Sequence, residues 1–181
     1  QEWKSTLMRF LRKLTVKYGR PLVLKSPGHT SRIKVLLDLF PEAKFVHIHR
    51  NPYTVFQSMV YAWPNVRAWW GLQQCALDTE RIIRDYVNVY DAFFAQRQLI
   101  PQGNFCEISF ADLERDALAQ VGRVYESLDL PTFDHVKPAL QAYIARIAGY
   151  AKNSFPAIPE ATRQRLSRDW ARCFEEWGYP K

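Results

Sequence analysis

The stretch Pro21–Ser58, PLVLKSPGHTSRIKVLLDLFPEAKFVHIHRNPYTVFQS, decides the fold class. It reads as two apolar strands that each deliver a cation into a turn: Leu22 to Leu24 ends at Lys25, and Phe45 to His49 ends at Arg50. Between them Thr30 or Ser31 can cap a helix, and Ile33, Leu36, Leu37 and Phe40 recur at helical spacing before Pro41 ends it. Strand, helix and strand in this order make a βαβ unit with parallel strands and a right-handed crossover. Lys25 and Arg50 are then expected in a common crevice at the carboxyl edge of the sheet, where ligands of open α/β sheets bind. The competing reading is that both cap their strands in solvent, where most charged side chains lie.

The turns favour a site. The RNP turn precedes a helix expected from about Tyr53 to Trp63, whose first amides and positive dipole end face the crevice and make an anion pocket. Ser58, on the second turn of that helix, adds a neutral donor to the planar donor fork of Arg50. In the SPGH turn, His29 comes close to Lys25, pairing a proton acceptor with a fixed positive charge. Gly19, Lys25 and Ser26 sit at Walker positions, but Leu24 stands where the second glycine is required and the preceding residues read as strand, so an ATP loop is rejected.

The run LKSPGHTSRI, then FPEAKFVHIHRNP, then a serine eight residues after the arginine, resembles the sulfotransferases that use 3′-phosphoadenosine-5′-phosphosulfate (PAPS), especially the branch with an LKSP-x-H element. The resemblance implies that Arg50 and Ser58 hold the 3′-phosphate of the cofactor. It implies that Lys25 serves the sulfonyl oxygens and His29 the acceptor hydroxyl or amine. NFCEISFADLERD is similar to the family's later strand and acidic turn, and YAKNSFPAIPEATRQRLSRDWARCFEEWGY to its carboxyl-terminal segment, which makes Lys152 a third phosphate ligand with Asn153 beside it. The implied fold is α/β, a three-layer parallel sheet flanked by helices of the P-loop nucleotide-hydrolase-like kind. Residues 1–181 form a single sulfotransferase domain in this reading. His29 follows Lys25 by four residues, where cytosolic members have two. The loop of small residues that grips the 5′-phosphosulfate in the family has no counterpart before Lys25, so the resemblance implies the carboxyl-terminal part of a longer enzyme, poorly active alone.

The rest of the chain fits this frame. Its first segment reads as a helix with Trp3, Leu7, Phe10, Leu11 and Leu14 on one face. With 181 residues and 48% hydrophobic content a sizeable core is expected, and no apolar run approaches the roughly 20 residues that cross a bilayer. Three widely spaced cysteines without metal-ligand spacing favour reduced thiols and a cytoplasmic setting, with any signal or anchor lying upstream. The net charge of +7 suits an anionic nucleotide; nucleic acid is disfavoured because the cations are dispersed and no binding motif appears.

Leu72 to Gln98 reads as one framework helix, Phe105 to Phe110 as a strand, and Asp112 or Asp116 as the start of the next helix. Further helices are expected through about Ala148 and from Pro159 to Trp177, with His135 in a loop. Phe110 reads as core more readily than as an adenine contact. Tyr61, Trp63, Trp69 and Trp70 either wall an acceptor pocket or pack. His47 reads as a satisfied residue under the sheet and His49 as a neighbour that orients Arg50; no metal is expected. The expected acceptor is a small molecule or glycan. Two alternatives stay open: a non-catalytic 3′,5′-adenosine bisphosphate-binding module, and a fold-related phosphotransferase needing Mg²⁺ and an upstream Walker loop.

Overall fold

Leu22 to Leu24 form no strand. The computed structural model describes residues 2–70 and 78–181, with the side chains of 64–70 outside that description. Helix α1 (Glu2–Tyr18) is followed by an extended segment and a 3₁₀ turn, Pro27–Ser31, before α2 (Ile33–Leu39). Val23 is 95% exposed. Five residues between Pro21 and Pro27 offer few ladder bonds, and Pro21 has no N–H to give. The partner of β1 (Phe45–His49) is instead β2 (Phe105–Ser109), parallel to it in the register Phe45 with Phe105, His47 with Glu107 and His49 with Ser109. These two strands are the whole sheet among the described residues.

Two helices make the crossover: α3 (Pro52–Trp70) and α4 (Thr79–Gln96). The start of α4 is set by Asp78, whose side chain accepts from the Arg81 amide at 3.0 Å. Of the helix expected from Leu72 to Gln98, residues 72–77 lie outside the described residues, while Ile82, Ile83, Tyr86 and Phe93 form a buried stripe along α4 at helical spacing. Thr30 and Ser31 do not cap α2. They belong to the 3₁₀ turn, where the Ser31 hydroxyl donates to the Gly28 carbonyl at 3.2 Å, and Arg32 takes the cap position.

Phe110 is not the last residue of a strand but the first of α5 (Phe110–Arg115), because Ser109 accepts from the Asp112 amide at 2.9 Å and starts the helix there. Asp116 caps α6 (Ala117–Ser127) in the same way. His135 lies in a helix, α7 (Phe133–Ile147), not in a loop. The expected Pro159–Trp177 helix is broken into α8 (Glu160–Asp169) and α9 (Ala171–Glu176) at Trp170. That indole is 2% exposed, stacks on Tyr86 and donates to the Ile83 carbonyl at 3.1 Å, so a bend at this point seats its largest side chain in the core.

Helices cover both faces of the strand pair. On one, Phe93 of α4 meets His47 and Phe105, within the cluster that contains Phe56, Trp170 and Phe174. On the other, Cys106 and Ile108 pack against Val124 of α6 and Leu128 just past its end. The register places Val46 beside Cys106 and Ile48 beside Ile108, yet Val46 and Ile48 are 45% and 46% exposed. Cover is thus fuller over β2 than over β1. Among the described residues no helix is long and apolar enough to cross a membrane.

Candidate functional site

The carboxyl end of β1 runs into Arg50, Asn51 and Pro52. Asn51 accepts from the Tyr53 amide at 2.9 Å and Pro52 occupies the first helical position, so the sequence itself starts α3 directly beside the strand end. This cap uses one of the helix's free amides, leaving the guanidinium of Arg50 as the principal positive group at the edge. Arg50 is half-buried, with its guanidinium over the Phe110 ring at 4.5 Å from the centroid, and it has no carboxylate partner among the described residues. Phe110, expected in the core, is the platform for this cation, placed there by the Ser109 cap.

Ser58 is half-buried farther along α3. Its helix is crossed by the segment that carries Lys152 and Asn153: Gln57 Nε2 donates to the Pro156 carbonyl at 2.7 Å, and the Tyr61 ring meets Phe155 at 5.5 Å. Lys152 reaches α5, with its Nζ 2.9 Å from Glu114, one turn beyond Phe110. Asn153 is exposed. Arg50 and Lys152 thus both reach α5, while Ser58 lies on α3, the helix that the segment after Lys152 also touches. Tyr61 is half-exposed, and the side chains of Trp69 and Trp70 lie outside the described residues.

Lys25 and His29 come from the segment that precedes α2. Lys25 is exposed in the extended segment. His29 lies in the 3₁₀ turn, which is anchored on the end of α4 through Gln96, whose amide donates to the Ser31 carbonyl at 3.4 Å and accepts from the Lys34 amide at 2.9 Å. The His29 Nδ1 is buried without a hydrogen-bond partner among the described residues. Burial, and then the charge of Arg32, hold its pKa below the ordinary 6.5 and leave the imidazole neutral at pH 7. No hydrogen bond or ion pair joins Lys25 or His29 to Arg50, Ser58 or Lys152 among the described residues.

Sequence reasoning overlooked the side chains that hold the strand end. His47 is buried and lies 2.7 Å from Glu107 through Nδ1, among the rings of Tyr90, Phe93 and Trp177. Burial alone raises the Glu107 carboxyl, but the His47 hydrogen bond and the charges of His47 and His49 outweigh it and hold the pKa below its usual value. His49 does not turn to Arg50. Its Nδ1 meets the Tyr179 hydroxyl at 2.9 Å and its ring stacks on Trp177 at 5.1 Å. The available signal was the alternation of His47 and His49 on one strand face, combined with a Trp-Gly-Tyr run at the far end of the chain.

A strand-to-helix turn at the edge of a small parallel sheet, presenting an arginine with no carboxylate partner among the described residues, is an arrangement of an α/β protein that suits an anion. The family model described as sulfotransferase family matches residues 1–135, and the chain belongs to that family. It is 34% identical over 181 residues to the omega-hydroxy-beta-dihydromenaquinone-9 sulfotransferase Stf3 of Mycobacterium bovis, covering 99% of this chain and 46% of the relative. The Stf3 protein of Mycobacterium tuberculosis matches to the same extent. The chain thus spans about half the length of the curated relatives it matches. No solved structure matches it.

Proposed function

We propose that this chain carries the 3′-phosphate half of a PAPS site, together with the acceptor base, in a sulfotransferase that modifies an alcohol. The observation that carries the reading is the Arg50 guanidinium, seated on Phe110 with its donors free of carboxylates, beside a helix start and a lysine-bearing segment folded over the same helix. Such a donor set fits a phosphate: a planar fork for two oxygens, with a hydroxyl and an ammonium to share the rest. β1 and β2 are then neighbouring strands of a larger parallel sheet, in keeping with the open edge of β1 and its exposed Val46 and Ile48.

PAPS, when bound, supplies the activated sulfonyl group. Arg50, Ser58, Lys152 and Asn153 fix its nucleotide, which is positioning more than chemistry. Lys25 offsets negative charge that develops on the transferring group. His29 takes the acceptor proton, a role open to a neutral imidazole near pH 7. The relatives' name specifies a hydroxyl on a menaquinone derivative, which favours an alcohol over an amine here and a lipophilic small molecule over a glycan. A cytoplasmic setting belongs to the same proposal, supported by the buried free thiols Cys106 and Cys173.

Calorimetry on the full protein with 3′,5′-adenosine bisphosphate against 5′-AMP tests the reading. Tighter binding of the bisphosphate is expected. Equal affinities would overturn the 3′-phosphate assignment.

A further inference from the structure

We propose that the carboxyl-terminal Trp177-Gly178-Tyr179 is a positioning element of the nucleotide site, a clasp that fixes the end of β1 and thereby the placement of Arg50. The inference rests on the reading of Arg50 as the phosphate ligand. Arg50 itself is held by little: its guanidinium meets the Phe110 ring, and no carboxylate locks it among the described residues. Its place therefore depends on where the backbone of its predecessor, His49, is held.

His49 is held from the other end of the chain. Tyr179 Oη lies 2.9 Å from its Nδ1, and Trp177 stacks on the ring with only 7° between the planes. Trp177 also packs on His47 at 5.6 Å and on Tyr90 at 5.1 Å, so both inward histidines of β1 rest on one indole. The clasp is built to close. Gly178 has φ +65, a conformation that side-chain-bearing residues rarely adopt, and this reversal lets the Tyr179 amide donate to the Phe174 carbonyl at 2.9 Å. The tail beyond is tied down by Lys181 on Glu175 at 2.6 Å.

Burial first, and then the charges of Asp112 and Glu107, raise the pKa of the Tyr179 hydroxyl, with the charge of Arg50 opposing them. His49 Nδ1 has this hydroxyl as its partner, and a phenylalanine would keep the ring while removing the bond.

The test is a double-mutant cycle in the full protein with Tyr179→Phe and Arg50→Ala, read by calorimetry with 3′,5′-adenosine bisphosphate and with 5′-AMP. Tyr179→Phe is expected to weaken bisphosphate binding about fivefold, the scale of one lost hydrogen bond, with AMP affinity unchanged and the thermal midpoint lowered by only a few degrees. In the Arg50→Ala background the same substitution should have no further effect on the bisphosphate, a coupling that general loosening of the fold does not produce. If Arg50→Ala discriminates the two nucleotides but Tyr179→Phe does not, or if its effect is equal in both backgrounds, the clasp is refuted and the phosphate assignment stands. If Arg50→Ala fails to discriminate, both fall. Gly178→Ala, which strains the reversal without touching either partner, should lower bisphosphate affinity in the same direction as Tyr179→Phe. Unaltered affinity in this variant also counts against the clasp.

Discussion

The two ends of the stretch Pro21–Ser58 are held very differently. At Phe45–Arg50 the chain lies in a paired strand, its inward histidines are engaged by Glu107, Tyr179 and Trp177, and the cation that follows is seated on an aromatic ring. At Leu22–His29 the chain is extended with no ladder, Val23 faces solvent and the turn is secured mainly through Gln96. The same reading of sequence applied to both, a short apolar run ending in a base. What separates them is the number of distant side chains available to fix each. In the proposed reading, the phosphate site, which must discriminate by geometry, falls at the well-held end. The proposed base and charge-stabilising lysine fall at the end that is tied to α4 through Gln96.

If that contrast is functional, the largest effect belongs to His29. His29→Ala should lower turnover by roughly 10²- to 10⁴-fold with bisphosphate binding nearly intact, measured by steady-state sulfonyl transfer and calorimetry on the same full protein. Turnover near normal would remove the residue from the base role. Because the His29 pKa is held below its ordinary 6.5, turnover limited by this base should fall only as the pH drops below about 6.5 and should be flat from there to pH 7.5.

Next is Arg50→Ala, expected to weaken the bisphosphate by roughly 10- to 100-fold, the scale of a charge-assisted bond to phosphate, while leaving 5′-AMP unaffected. A loss shared equally by both nucleotides would collapse the contrast.

Glu107→Gln sharpens the comparison through stability. Removing the carboxylate from the buried His47 should cost about 1 kcal/mol at pH 7, visible as a lower denaturant midpoint. The sign with pH follows from the depressed Glu107 pKa. The stabilisation is present above the unfolded carboxyl's ordinary 4.5 and is lost as pH falls below it through the folded value, so the gap between variant and parent should narrow under acid. The smallest effect is Lys152→Ala. Its ion pair with Glu114 is exposed and contributes at most about 1 kcal/mol to stability, so the thermal midpoint should hardly move while bisphosphate binding weakens a few-fold.

Much of this was legible because it is local. β1, the capped start of α3 and the arginine that follows the strand are written in neighbouring residues, as is the stripe of Ile82, Ile83, Tyr86 and Phe93. The failure at Leu22–Leu24 has a physical cause: strand propensity describes what a segment can do against a neighbour, and the described residues offer this one none. Phe110 misled for a related reason, since a serine at the strand end turns the next residue into a helix start and swings its ring out beneath a cation. The hold of Trp177 and Tyr179 on the histidines spans well over a hundred residues, and no local pattern encodes which aromatic comes home to which strand.

Two sulfur atoms turn the layered packing into a clock. Cys106 sits beneath α6 and Cys173 within the larger cluster, where burial pushes its thiol pKa up to about 12, so neither is poised to react while the chain stays folded. Alkylation at one of these two sulfurs ahead of the other would time which side of the strand pair opens first.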